Sequence, residues 1–190
     1  MSRLLLVALV LFPVTVGSGL TWEQSDATPG SQKDGAAICS DAARLARLAR
    51  IDESPDAELV RIQSDVWCTA KEPRPSLTWA NKRNARFPSG AWNYPNGRTA
   101  KTSSGVWEYP NGRTARTSSG TWYYPDGRRA KFESGRWQQP DGRSVTESEL
   151  LLWACQRLGE GNCRRPLADI RRLSGFDRDL AMVELAWSAR

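Results

Sequence analysis

The apolar residues of this chain follow two kinds of spacing, which divide it into regions of different structure. From Ile38 to Trp67 they recur every three or four residues, as on one face of an α-helix. From Gly90 to Arg143 they alternate with polar residues between glycine-containing turns, as in short β-strands. After Thr146 the helical spacing returns. We therefore expect an α+β fold in which short helical segments flank an antiparallel β-hairpin repeat meander.

The middle of the chain repeats with a period of fifteen residues. Its four copies are SGAWNYPNGRTAKTS, SGVWEYPNGRTARTS, SGTWYYPDGRRAKFE and SGRWQQPDGRSVTES. Pro-Asn-Gly or Pro-Asp-Gly predicts a turn, because Pro fixes φ and Gly tolerates positive φ. Each copy is thus a predicted hairpin, with Tyr94 opposite Arg98 and Trp92 opposite Ala100 in the first. Residues 77–87 match the same frame as a degenerate opening copy, so up to ten strands are expected.

Two helices are predicted before the repeats and a helical segment after them. Ser54-Pro55-Asp56 is a typical helix start. Thr146 and Glu149 form a predicted capping box, Gly159 can end that helix, and further helices are expected from about Pro166 and Asp177. The second helix is expected to bury Leu59, Ile62, Val66 and Trp67.

The predicted domain organisation is linear. A signal peptide spans residues 1–18, a flexible spacer 19–34, a disulfide-linked helical hairpin 35–72, the repeat array 75–145 and a helical segment 146–190. Within the array, the copies are 75–89 (the degenerate one), 90–104, 105–119, 120–134 and 135–145.

The first eighteen residues have the layout of a secretory signal peptide. Arg3 precedes an apolar run of about ten residues, and small residues lead to a cleavage position after Ser18. The run is too short for a stable membrane span, although an uncleaved anchor is the alternative. We expect a secreted or periplasmic protein.

The cysteines support export. Four cysteines in an exported chain predict two disulfides, and the helical hairpin favours Cys39 with Cys68, which leaves Cys155 with Cys163. Zinc binding is disfavoured because the chain has no His and no Cys-x-x-Cys pair. No metal or cofactor is expected.

Positive charge is concentrated in the repeats. Residues 74–145 carry 13 basic and 4 acidic side chains, whereas residues 19–73 carry 6 and 10. A basic surface interleaved with aromatic residues attracts anionic partners. The expected partner is an anionic envelope component (lipid or glycan) or a protein, with peripheral membrane contact as one form of binding. Nucleic acid is not expected for an exported chain, and the sequence leaves the oligomeric state open.

The candidate binding residues form three sets, each with a structural alternative. The tryptophans offer a stacking platform, or else pack over small residues of their own copy or beneath a helical segment. The tyrosines and turn arginines form cation–π pairs. The remaining basic residues are expected on the face of the sheet opposite the tryptophans, where residues vary between copies, and either bind a partner or simply keep that face solvated. The three sets are Trp92, Trp107, Trp122 and Trp137; Tyr94, Tyr109, Tyr124, Arg98, Arg113 and Arg128; and Lys101, Arg116 and Lys131.

Catalysis is disfavoured by the residue inventory. Without His, neither a Ser-His-Asp nor a Cys-His site can form. Asp126 and Asp141 occupy turn positions that account for them. We expect a non-enzymatic interaction module, with an architectural spacer as one alternative and a carboxylate-dependent cell-wall hydrolase as another.

The segment from Gly105 to Arg113, Gly-x-Trp-x-Tyr-Pro-Asn-Gly-Arg, resembles the hairpin repeats of the MORN type, especially short bacterial variants rich in Tyr-x-Asn-Gly. That resemblance implies a single-layer hairpin array used for interaction with proteins or membrane lipids. The fifteen-residue period is shorter than that of the better-known repeat, and the second Gly-x-Gly element is missing.

Overall fold

The computed structural model describes residues 31–69, 78–85, 90–101, 105–117 and 119–190. Within these ranges the fold is α+β, as predicted, with five helices and one antiparallel sheet of eight strands. The predicted signal peptide and most of the spacer lie outside the described residues. None of the helices in these ranges has the length and apolar character that crossing a bilayer requires.

The sheet is a meander in which every strand pairs with its neighbours in the chain, as a hairpin repeat predicts. In the first turn, the backbone N–H of Tyr94 donates to the carbonyl of Arg98 at 2.7 Å, and Gly97 has a φ of 87°. Glycine adopts this left-handed conformation without steric cost. The strands are β1 Trp92–Asn93, β2 Thr99–Lys101, β3 Trp107–Glu108, β4 Thr114–Arg116, β5 Trp122–Tyr123, β6 Arg129–Lys131, β7 Trp137–Gln138 and β8 Ser144–Val145.

A β-bulge in the first three hairpins corrects the predicted register. Asn93 pairs with Thr99 as expected, but Trp92 pairs with Lys101 instead of Ala100. The same shift recurs in the β3–β4 and β5–β6 hairpins. A bulge sets two residues of one strand against one of the other, so Lys101 reaches the same side of the sheet as Trp92. The last hairpin has no bulge and keeps the predicted pairing of Trp137 with Val145.

The helical ends follow local sequence signals. The capping box is present, with Thr146 accepting from the N–H of Glu149 and the Glu149 side chain accepting from the N–H of Thr146. The next helix begins before the predicted start near Pro166, because Gly159, with φ 81°, ends one helix and opens the other. The helices are α1 Ser31–Ile51, α2 Ala57–Thr69, α3 Glu147–Leu158, α4 Glu160–Arg172 and α5 Gly175–Ser188.

Helices α1 and α5 pack against each other over one face of the sheet, while α2 packs on α1, and α3 and α4 pack on α5. The prediction that Leu59, Ile62 and Val66 form the buried face of α2 is wrong, since these side chains are exposed. This helix instead buries Val60 and Ser64, which share the opposite face one turn apart. The side chain of Trp67 lies outside the described part of the chain.

One of the two predicted disulfides is present. Cys155 and Cys163 are bonded, with 5.3 Å between their Cα atoms, which is compatible with an extracellular compartment. The predicted Cys39–Cys68 bridge is not formed, and both residues are free thiols. Desolvation and a hydrogen bond with the neighbouring Cys39 raise the pKa of the Cys68 thiol to about 12.

Candidate interaction surface of the hairpin array

The four tryptophans of the array are buried, so they form no exposed stacking platform. Trp92, Trp107, Trp122 and Trp137 lie on the face that α1 and α5 cover. Phe176 of α5 packs against both Trp107 and Trp122, with ring centroids 5.3 and 4.9 Å apart. We call this side of the sheet the covered face.

Two carboxylates tie the helices to the covered face. Asp41 of α1 accepts from Trp92 Nε1 at 3.2 Å and Lys101 Nζ at 3.3 Å. Asp179 of α5 accepts in the same way from Trp122 Nε1 at 3.2 Å and Lys131 Nζ at 2.7 Å.

The intervening copy uses its basic residue differently. Arg116 lies over the Phe176 ring at 5.1 Å. The expectation that Lys101, Arg116 and Lys131 face away from the tryptophans is therefore wrong, because the bulge turns them toward the helices. These three side chains are engaged in internal contacts and are poorly placed to meet a ligand.

The tyrosines connect each hairpin to the next. Their hydroxyls donate to backbone carbonyls one copy further on, from Tyr94 to Glu108 at 2.6 Å and from Tyr109 to Tyr123 at 2.5 Å. Tyr124 continues the series and also stacks on Trp187 of α5 at 5.5 Å. Burial raises the pKa of all three phenols. No Tyr–Arg cation–π pair of the predicted kind occurs among the described residues.

The turn residues also join neighbouring copies. Asn96 Nδ2 donates to the Pro110 carbonyl at 2.9 Å. The Arg98 guanidinium lies over Gly112, and a Cβ at that glycine would overlap it. Arg113 lies over Gly127 in the same way. The glycine therefore allows both the turn and the close approach of the preceding arginine.

Residues 78–85 contact the first full copy as each copy contacts the next. Trp79 Nε1 donates to the Asn93 carbonyl at 3.1 Å. Tyr94, fifteen residues later in the repeat, makes the equivalent hydrogen bond to the next copy. Asn81 reaches the Pro95 carbonyl, and Arg83 lies over Gly97. This segment forms a bridge between Thr78 and Asn84 in place of full strands.

The Pro-Asn-Gly and Pro-Asp-Gly turns lie side by side at the same end of the hairpins, and an exposed row of arginines follows them across the sheet. Each copy adds two strands spaced about 4.8 Å apart, so successive arginines are about 10 Å apart. We call this row the turn edge. It consists of Arg83, Arg98, Arg113, Arg128 and Arg143.

The two halves of the turn edge differ in charge. In the later copies Asp precedes the turn glycine, and Asp126 forms an ion pair with Arg128 at 2.5 Å. The earlier copies have Asn there, and within the described residues Arg98 and Arg113 form no ion pair. In the part of the chain that the structure describes, the arginines in the first half of the turn edge are thus free of direct ion pairs, although the Asp52 carboxylate, just after α1, accepts from the N–H of Asn111 at 3.0 Å in one of these turns.

A second group of exposed arginines was missed at the sequence level. Arg164, Arg165, Arg171 and Arg172 are all exposed on α4. The C-terminal segment carries equal numbers of acidic and basic residues. Several of its acids pair internally, however, such as Asp177 with Arg44 at 2.6 Å. The seven-residue spacing of the arginines along one helix was the signal that could have identified this surface.

The described residues include no cluster that could hold a metal ion. No group of three potential ligands among His, Cys, Asp and Glu occurs in them. Asp126 and Asp141 each accept a backbone N–H two residues on, as turn residues do.

No protein-family model, curated protein or solved structure matches this chain.

Proposed function

We propose that this protein is a non-enzymatic interaction module, secreted or periplasmic, whose hairpin array binds an anionic envelope partner along the turn edge. The observation that carries the proposal is the row of exposed arginines, in whose first half Arg98 and Arg113 form no ion pair within the described residues. The buried tryptophans and the tethered Lys101 and Lys131 support the array from within and do not contact the partner.

The geometry of the turn edge favours an extended anionic partner over a small ligand. Guanidinium groups about 10 Å apart match charges distributed along a glycan or over a lipid surface. Arginine binds carboxylate and phosphate groups through two parallel hydrogen bonds. Since exposed charges dominate the contact, binding should weaken as salt screens them.

The hairpin array is consistent with a short relative of MORN-type repeats. Its Tyr, Asn, Arg and Gly residues hold neighbouring hairpins in register, which keeps the arginines evenly spaced. The proposed location outside the cytoplasm is supported by the apolar leader expected from the sequence and by the Cys155–Cys163 disulfide.

The test is co-sedimentation with vesicles of anionic or neutral lipid, and with an insoluble acidic polysaccharide, over a salt series. Replacing Arg98 and Arg113 with Gln should reduce binding to an anionic probe at least about tenfold, since two charged contacts are lost. The matched control replaces Arg128 and Arg143, which removes the same charge beside Asp126 and Asp141, and should have a smaller effect. Equal losses, or no binding to any anionic probe at low salt, would refute this assignment.

An architectural spacer is the second candidate, and the contacts between copies favour it. The tyrosine hydroxyls and most turn groups are used within the array, as a rigid rod requires. If Arg98 and Arg113 can be neutralised without loss of the protein's activity in its host, the spacer function is the better account.

A further inference from the structure

The exposed large apolar side chains of the described residues fall in two patches. Leu59, Ile62 and Val66 are 37%, 46% and 57% exposed and lie on one face of α2. Leu152 of α3 is 60% exposed. Neither patch belongs to the hairpin array or to its turn edge. We call the α2 residues the α2 stripe.

Leu152 lies beside a groove between α3 and α4. The groove has a volume of about 460 Å³ and is lined by the Cys155–Cys163 disulfide, Leu167, Gln156 and Arg164, among others. Leu152 precedes Gln156 by one helical turn and so shares its face. An apolar floor between two helices can accept the side chains of an amphipathic helix.

Charges of opposite sign flank the two patches at the same spacing. Glu58 and Asp65 border the α2 stripe. Arg164 lines the groove together with Glu160, and Arg171 follows the groove residue Leu167 by one turn on the same face of α4. The two acids and the two arginines are each separated by seven residues, or about 10.5 Å along their helix. A helix lying along α4 can therefore bring both acids opposite both arginines.

The ion pairs that these charged residues already form within their own molecule are weak. Arg61 contacts both Glu58 and Asp65, but these are exposed pairs within one helix. Arg164 lies 3.9 Å from Glu160, and Arg171 has no ion pair within the described part of the chain. Exchanging such contacts for intermolecular ones therefore costs little.

We infer that α2 of one molecule docks into the α3–α4 groove of a second copy. The α2 stripe would cover Leu152 and Leu167, while Glu58 and Asp65 face Arg164 and Arg171. The two contacting surfaces differ, so each molecule retains one free surface of each kind. Assembly therefore proceeds head to tail and is not limited to a symmetric dimer.

Sedimentation velocity over a concentration series tests this inference. The wild-type protein should form dimers and larger species as concentration rises. Ile62→Asp and Leu152→Asp should each weaken self-association at least about tenfold, because each buries a charge in an apolar contact. Both positions are exposed, so unchanged circular dichroism and thermal unfolding should confirm that the fold is intact. Ser134→Asp, an exposed position in the hairpin array and outside both patches, is the matched control and should associate like the wild type.

Mixing the two variants distinguishes this arrangement from a symmetric one. The Ile62→Asp chain retains a normal groove and the Leu152→Asp chain a normal α2 stripe. The mixture should therefore form a 1:1 dimer that cannot extend, although neither variant associates alone. A monomeric wild type at all concentrations, failure of the mixture to dimerise, or persistent self-association of either variant would overturn the inference.

Discussion

Basic side chains serve internal packing on the covered face but are exposed to solvent on the turn edge. On the covered face, Lys131 lies under α5 and donates to Asp179 at 2.7 Å. On the turn edge, Arg113 is exposed and forms no ion pair within the described residues. Both belong to the repeat. Lys131 follows a bulge and is turned toward the helices, whereas Arg113 lies at the turn, before the bulge of its hairpin. A basic repeat therefore need not present all of its positive charge to a ligand.

The comparison also separates residues that build the array from residues that it displays. Tryptophan and tyrosine are buried on the covered face, where they contact the helices and the next hairpin. The turn edge combines packing and display, because Arg98 lies over Gly112 while remaining exposed. Disruption should consequently cost much more stability on the covered face than on the turn edge.

The largest expected effect is unfolding in base, caused by the three buried tyrosines. A phenol has a pKa of about 10 when unfolded, and burial raises the pKa of Tyr94, Tyr109 and Tyr124 in the folded state. Their stabilising effect is fully present below about pH 10 and is lost as the pH rises above it. The three together should cost roughly 4 kcal/mol for each pH unit above that point.

Phenolate absorbance and circular dichroism, followed in parallel, check this expectation. Three of the four tyrosines should ionise together with unfolding. Replacing Tyr109 with Phe should move the transition to higher pH. If three or more tyrosines ionise near pH 10 while the helical signal stays native, the phenols are not protected by burial as described.

Trp122→Ala should give the next largest effect. This indole is fully buried, packs on Phe176 and donates to Asp179. Its loss should lower the free energy of unfolding by about 3–5 kcal/mol. Arg113→Ala on the turn edge should cost less than about 1 kcal/mol. Chemical denaturation of the two variants provides the measurement, and similar costs would contradict the division between the two regions.

Asp179→Ala should have an intermediate effect, of about 2–3 kcal/mol. The substitution removes the acceptor for Trp122 and leaves the half-buried Lys131 without its ion-pair partner. Adding Lys131→Met to the variant should recover part of the loss, because the uncompensated charge is then removed. Denaturation of the two single variants and the double variant measures this coupling. A strictly additive result would show that Lys131 is not held by Asp179.

The sequence predicts the features that depend on local signals. The Pro-Asn-Gly and Pro-Asp-Gly turns identify every hairpin, and the spacing of Thr146 and Glu149 identifies the start of α3. These signals act within a few residues of the structure they determine. Hence the hairpin meander, its meeting of Tyr94 and Arg98 across the turn, and the Cys155–Cys163 bridge could be foreseen.

Features that depend on distant contacts could not be predicted in this way. Alternation alone assigns Lys101 to the opposite face from Trp92, whereas the bulge adds one residue and brings both to Asp41. An amphipathic pattern likewise shows that Leu59 and Val66 share a face without showing what covers it. Within the described residues that face is exposed, because α2 packs on α1 through Val60.

The smallest effect expected concerns the glycines of the turn edge, and it isolates one contact. Gly112 and Gly105 have similar positive φ values, 88° and 75°, so replacing either with Ala should cost about 1–2 kcal/mol from backbone strain. Only at Gly112 would the added Cβ also meet the Arg98 guanidinium, whereas nothing lies within 4 Å at Gly105. Gly112→Ala should therefore be slightly the more destabilising, and thermal unfolding should show that the excess disappears in the Arg98→Ala background. If the excess persists without the guanidinium, Arg98 does not pack against this glycine, and the arginines of the turn edge are not positioned by their neighbouring turns.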